Sequence, residues 1–208
     1  MQKLKDIFKI NNTFTRPPKK DKKPSSIGDA ITQIAGYNYM ADLLYLPNDN
    51  GYKYLLVVVD VVTRAFDIEP IKDKESKTVL EAMKRIFKRK YLKKPFMSLR
   101  TDNGAEFKNV FHKYLIDNDI HHSVSQPYRH SQMAMVESLN GQLGGLINGY
   151  LNKKSEEAGI IQTHWRPCLE TIRKELNKIR YKKAKYTEKT IFDAVDEPAD
   201  TSKEPKFK

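Results

Sequence analysis

Three acidic side chains occupy positions that a folded domain ordinarily gives to apolar or neutral residues. Asp42 lies between Ala41 and Leu43, Asp102 directly precedes Asn103-Gly104, and Glu137 follows Val136 one turn after Met133. Carboxylates brought together repel one another and raise each other's pKa unless a cation lies between them. Hard oxygen donors in that number select Mg2+ or Mn2+ over zinc. Two such ions, about 3.5–4 Å apart, clamp the attacking and leaving oxygens of an in-line phosphoryl displacement. Any one of these acids alone would read as a cap or a salt-bridge partner. As a set they predict a metal-dependent phosphoryl-transfer centre, provided that the strands carrying Asp42 and Asp102 are neighbours and a helix carrying Glu137 packs there.

The elements that would position them can be read from the apolar pattern. Residues 37–46 read as a strand, closed by Pro47-Asn48-Asp49-Asn50-Gly51, whose Asn-Gly end favours a tight turn. Residues 54–62 form an apolar, β-branched run broken only by Asp60, which suits a strand buried on both faces. A third strand follows over 65–71, making an antiparallel meander. Residues 76–94 repeat apolar positions at helical spacing up to Pro95. A short strand over 96–100, a helix over 105–118, a strand over 120–125 and helices over 133–151 and 163–183 complete the order. The fold class is therefore α/β, a mixed five-stranded sheet flanked by helices.

The 208 residues suit one domain with flanking segments, and 39% apolar content supplies a core. No apolar run approaches the roughly 20 residues that span a bilayer, and the first residues lack the apolar stretch of a secretory signal. A single cysteine, Cys168, excludes a disulfide framework and a multi-cysteine zinc site within this sequence. The expectation is a soluble intracellular protein without a membrane partner.

The net charge of +12 is unevenly spread, at +6 over residues 1–27, +2 over 28–152 and +4 over 153–208. The first stretch, with Lys19, Lys20, Lys22 and Lys23 among prolines and serines, reads as an extended arm. It is either a solvated tail or a contact for nucleic-acid phosphates. The crowd of cations from Lys84 to Lys94 reads as a solvated face at a helix end, and the last helix as amphipathic with a basic outer face. Asp60 reads as a turn anchor and Glu106 as an exposed carboxylate at a helix start.

The words Asp42…Tyr54-Leu55-Leu56-Val57-Val58-Val59-Asp60…Thr63-Arg64…Thr101-Asp102-Asn103-Gly104-Ala105-Glu106-Phe107…Pro127-Tyr128…Val136-Glu137 resemble the catalytic core of retroviral-type integrases. The branch most similar is that of Polinton/Maverick transposons and virophages. The resemblance implies an RNase H-like fold over 37–152, with Asp42, Asp102 and Glu137 as its metal-binding D, D, E triad holding two Mg2+ or Mn2+ ions. It implies an integrase or transposase that processes 3′ ends and transfers strands, with element-end DNA and target DNA as partners and a homodimer or higher oligomer as the working form. A host nucleus or virus particle follows as its setting. An RNase H-like nuclease and a DNA-binding relic of an integrase are the alternatives.

Tyr128 and Arg129 would either touch passing DNA or pack their loop. The zinc module that often precedes such cores is not in this chain. The organisation expected is a basic arm over 1–36, the core over 37–152, a helical extension over 153–192 and, over 193–208, a polar linker to a missing C-terminal domain. One departure stands out. After Glu137 such enzymes commonly place basic residues, whereas this chain has Ser138, Gly141 and Gly144. Each helical glycine costs about 1 kcal/mol relative to alanine. Either a backbone passes close to that face, or the DNA grip lies elsewhere or is weakened.

Overall fold

A computed structural model describes residue 6 and residues 35–126 and 132–183. Strand β1 (Asn38–Asp49) pairs antiparallel with β2 (Tyr52–Asp60), which pairs antiparallel with β3 (Phe66–Ile71). Helix α1 (Ser76–Lys88) leads to β4 (Ser98–Thr101), which lies parallel to β1 on its other side. A 3-10 turn (Ala105–Phe107) and α2 (Val110–Ile116) lead to β5 (His121–Val124), parallel to β4. The sheet order is β3-β2-β1-β4-β5. Helix α3 (Ala134–Ala158), a 3-10 turn (Arg166–Cys168) and α4 (Leu169–Lys183) follow. This is the expected mixed five-stranded sheet flanked by helices, an RNase H-like fold.

The two-residue period of the central strands divides the core. Met40, Leu55, Val57 and Val59 join the apolar sides of α3 and α4, while Tyr39, Ala41, Leu43, Leu56 and Val58 join those of α1 and α2. The β1–β2 turn is where the Asn-Gly word predicts it, with Asn50 and Gly51 at φ of 51° and 89°. Strand β1 nonetheless runs through Pro47, because a register irregularity between Tyr45 and Asp49 absorbs the residue that cannot donate. The carbonyl of Pro47 accepts the indole N–H of fully buried Trp165 at 2.7 Å.

Three sequence readings are corrected. Helix α1 stops at Lys88, six residues before Lys94, because Arg89 turns extended and spends its guanidinium on Asp67, Glu69 and the carbonyl of Ile68. Helix α3 runs seven residues beyond Leu151, through a polar turn carrying a Lys154–Glu157 pair, to a left-handed stop at Gly159. The inner face of α4 is not purely apolar. Arg173, Asn177 and Arg180 are buried there against the edge strand β3, where Asn177 donates to the Phe66 carbonyl and accepts the Phe66 N–H. Those bonds occupy backbone groups that would otherwise stand open at the sheet edge. Arg173 also pairs with fully buried Asp67 at 2.7 Å.

Candidate active site

The β1–β4 register pairs Met40 with Arg100; Asp42 lies two residues further along β1 and Asp102 one residue past the end of β4, near enough for its charge to act on Asp42. Asp42 shares the sheet face of Met40 and Leu44, the face covered by α3. Glu137 lies in the first turn of that helix, where an acidic residue suits the helix dipole. One turn further on, Asn140 donates its side-chain N–H to Asp42 Oδ2 at 2.9 Å, tying the helix to the strand at this point. The other carboxylate oxygen, Oδ1, accepts the Leu43 N–H at 2.8 Å. Sequence reasoning missed Asn140; its only signal was its place one turn after Glu137. Its carbonyl oxygen is buried and has no hydrogen-bond partner among the described residues.

Electrostatics show that the acids share one field. Burial is the main cause that lifts the Asp42 carboxyl to about 6; the Leu43 N–H opposes it, and Asp102, Glu137 and Glu106 each add repulsion. The fourth acid was not foreseen at the site. Where a Cβ on Gly104 would stand, the Glu106 carboxylate lies 2.7 Å away and Asp102 Oδ1 3.0 Å away. A side chain at Gly104, whose backbone is extended rather than left-handed, would make the Glu106 carboxylate shift, and the Gly104 N–H donates to Asp102 Oδ1 at 3.0 Å. Glu106 sits at the start of a 3-10 turn and is half-buried, not exposed. Among the described residues, no three His, Cys, Asp or Glu side chains stand as a ready-made ion cage.

Asp102 is steadied from behind. The Thr101 hydroxyl donates to the Asp102 carbonyl at 2.7 Å and contacts His122 Nε2 at 2.9 Å, while His122 Nδ1 faces His112 Nδ1 at 2.8 Å. A hydroxyl has one proton to give, so Nε2 of His122 carries the hydrogen and Nδ1 accepts from His112. Burial, with repulsion from His112 and His121, pulls the His122 pKa down to about 4, consistent with that neutral form.

Asp60 anchors a turn as read from sequence, accepting from the Gly36 and Val62 N–H groups and the Thr63 hydroxyl. On α3, a Cβ at Gly141 would meet nothing within 4 Å, and one at Gly144 only Leu44 Cδ1 at 4.0 Å. Among the described residues no backbone passes close to that face, so they give the first explanation of these glycines no support. Tyr128, Arg129, Lys19, Lys20, Lys22 and Lys23 lie outside the described residues.

Residues 34–130 match the integrase core domain family. Over that stretch the chain is similar to an integrase core domain. A transposon-derived protein of Caenorhabditis elegans is 28% identical to this chain over 110 residues, covering 53% of the chain and 37% of that protein. A chain of the simian T-cell lymphotropic virus intasome, solved in complex with the PP2A regulatory subunit B56 gamma, superposes with a TM-score of 0.55 at 18% identity. That match covers 80% of this chain and 56% of the other, and at such identity it speaks for the fold alone. The chain thus spans about a third of the curated relative and just over half of the structural neighbour. Among the described residues, no helix is long and apolar enough to cross a membrane.

Proposed function

We propose that this integrase core cuts and joins DNA, processing the 3′ ends of a mobile element or viral genome and transferring them to target DNA. The observation that carries the reading is that Asp42 on β1 feels the charges of Asp102, just past the end of the adjacent parallel strand β4, and of Glu137, on the helix tied to Asp42 through Asn140. Oxygen donors whose mutual repulsion helps lift Asp42 to about 6 are the donor set that Mg2+ or Mn2+ fits. Asp42, Asp102 and Glu137 would hold two such ions, which would supply activation of the attacking oxygen and neutralisation of the leaving one. The chain's own part is alignment. The Leu43 N–H and Asn140 fix both oxygens of Asp42, the Gly104 N–H fixes one of Asp102, and no covalent enzyme intermediate is needed.

The substrates on this reading are element-end and target DNA, and the working form is a homodimer or larger assembly. The transposon-derived relative and the intasome neighbour support both. Residues 1–36 would serve as a basic arm, 37–152 as the core, 153–192 as its helical extension and 193–208 as a linker. A host nucleus or virus particle is the setting such substrates require. Asp42→Asn and Glu137→Gln are expected to abolish divalent-metal-dependent nicking and strand transfer on labelled duplexes. Retention of both activities would overturn the reading. A joining assay on pre-processed ends separates strand transfer from nicking alone.

A further inference from the structure

Away from the carboxylates, two arginines meet without an acid between them. Arg180 on α4 is buried, its Nε donating to the Arg64 carbonyl at 2.9 Å and its guanidinium lying 5.8 Å from the centre of the Phe66 ring. Arg64 is exposed, in the turn between β2 and β3. Among the described residues neither guanidinium has a carboxylate partner, unlike Arg85, Arg89, Arg166 and Arg173. Burial, with Arg64 adding repulsion, pulls Arg180 down to about 10. A buried cation facing a second cation is costly unless something anionic joins them.

The turn that presents Arg64 is rigid. Asp60 N–H donates to the Ala65 carbonyl at 2.8 Å, Arg64 N–H to the Asp60 carbonyl at 3.1 Å, and Ala65 N–H to the Thr63 hydroxyl at 3.2 Å. The Asp60 carboxylate beneath is occupied by Gly36, Val62 and Thr63, so it is spent inside the turn. Arg64 itself is held at a φ of 64°, a conformation unusual for a non-glycine residue, and it still carries a long cationic side chain. We propose that Arg64 and Arg180 form a binding site for a phosphate oxyanion, on the outer edge of the sheet and separate from the acidic centre. Arg180 Nε is spent on the Arg64 carbonyl, and among the described residues the other N–H groups of both forks have no acceptor, leaving the donors that guanidinium offers to phosphate. The turn adjoins Asn38, four residues before Asp42, on the order of 13 Å along β1 and further across toward β3. A phosphate held there is therefore not one undergoing reaction at the carboxylates.

The test titrates inorganic phosphate into the full chain while following its Tm and the arginine Nε–H resonances. Phosphate should raise the Tm and shift the Arg180 resonance. Arg64→Gly should weaken apparent affinity roughly tenfold or more, the cost of a charged hydrogen bond. Glycine suits the positive φ at this position, so folding is preserved. Lys53→Gln, which removes the same charge from an exposed strand position, should change little. No response to phosphate, or equal weakening by the two variants, overturns the site. A second arm uses a DNA duplex of about 20 base pairs. If the phosphate belongs to nucleic acid, Arg64→Gly lowers the salt slope of binding by about 1. An unchanged slope beside an abolished phosphate response assigns the site to free phosphate.

Discussion

Asp42 is held at neutral pH in a state its surroundings oppose. Its carboxyl rises from an ordinary 3.8 to about 6, chiefly through burial and further through Asp102, Glu137 and Glu106. The folded chain therefore binds this proton more tightly than the unfolded one. The stability it contributes is complete below about 3.8 and is lost as pH rises through about 6. Asp42→Asn keeps a side chain able to accept from Leu43 and removes the charge. In metal-free buffer at pH 7 the variant should be more stable than the native chain, by up to about 3 kcal/mol, because each pKa unit is worth about 1.4 kcal/mol. Thermal melts with and without Mg2+ check this. Magnesium should raise the Tm of the native chain and leave the variant unmoved; a variant less stable than the native chain at pH 7 would contradict the argument. Asp42 and Asp102 were legible from their intrusion into strand-like words. Glu106 was not, because its half-buried place beside Gly104 and Asp102 is a three-dimensional fact that no periodicity carries.

At the level of elements, the strands were legible because their apolar runs alternate between two buried faces, and the helix ends were not. Helix α1 ends where Arg89 finds Asp67 and Glu69 on a strand far off in sequence, and nothing local marks that partnership. Helix α3 continues where its apolar stripe has already stopped, and it ends at the left-handed Gly159. On this helix a Cβ at Gly141 would meet nothing within 4 Å among the described residues. Gly141→Ala should stabilise the chain by about 1 kcal/mol in denaturant melts, the helix-propensity difference with no steric penalty. A destabilisation would mean that something does approach this face. The Thr101–His122–His112 chain makes a second element-level prediction. The depressed pKa of His122 means the unfolded chain takes up its proton first on acidification. Its contribution to stability is full above about 6.5 and is lost as pH falls toward about 4. Unfolding curves of native and His122→Gln chains across that window should diverge, the native chain losing stability faster; parallel curves would remove His122 from the account.

Over the whole molecule, the charge of +12 and the chemistry occupy different places. The stretch over 28–152 has a balance of only +2, and several of its cations are already committed, Arg85 and Arg89 to Glu69 and Asp67, and Lys84 to Glu81. What reads in sequence as a solvated basic face on α1 is in part an internal clasp between that helix and β3. The helix after Glu137 offers glycines where a DNA grip is expected, and the acids of the site themselves repel phosphate. Affinity for a polyanion must then come largely from outside this stretch, and residues 1–27, at +6, are the densest source. Removing residues 1–27 should therefore weaken duplex binding and flatten its salt dependence, the slope of log K against log salt falling by about 0.9 for each phosphate no longer neutralised. Magnesium binding should be unaffected, since Asp42, Asp102 and Glu137 all lie beyond the cut. Fluorescence anisotropy across a salt series and calorimetric titration of Mg2+ make the two measurements on the same pair of chains. An unchanged salt slope would place the grip on the globular part after all. Abolished Mg2+ binding would show that the arm supports the carboxylates, and the division between affinity and chemistry would fail.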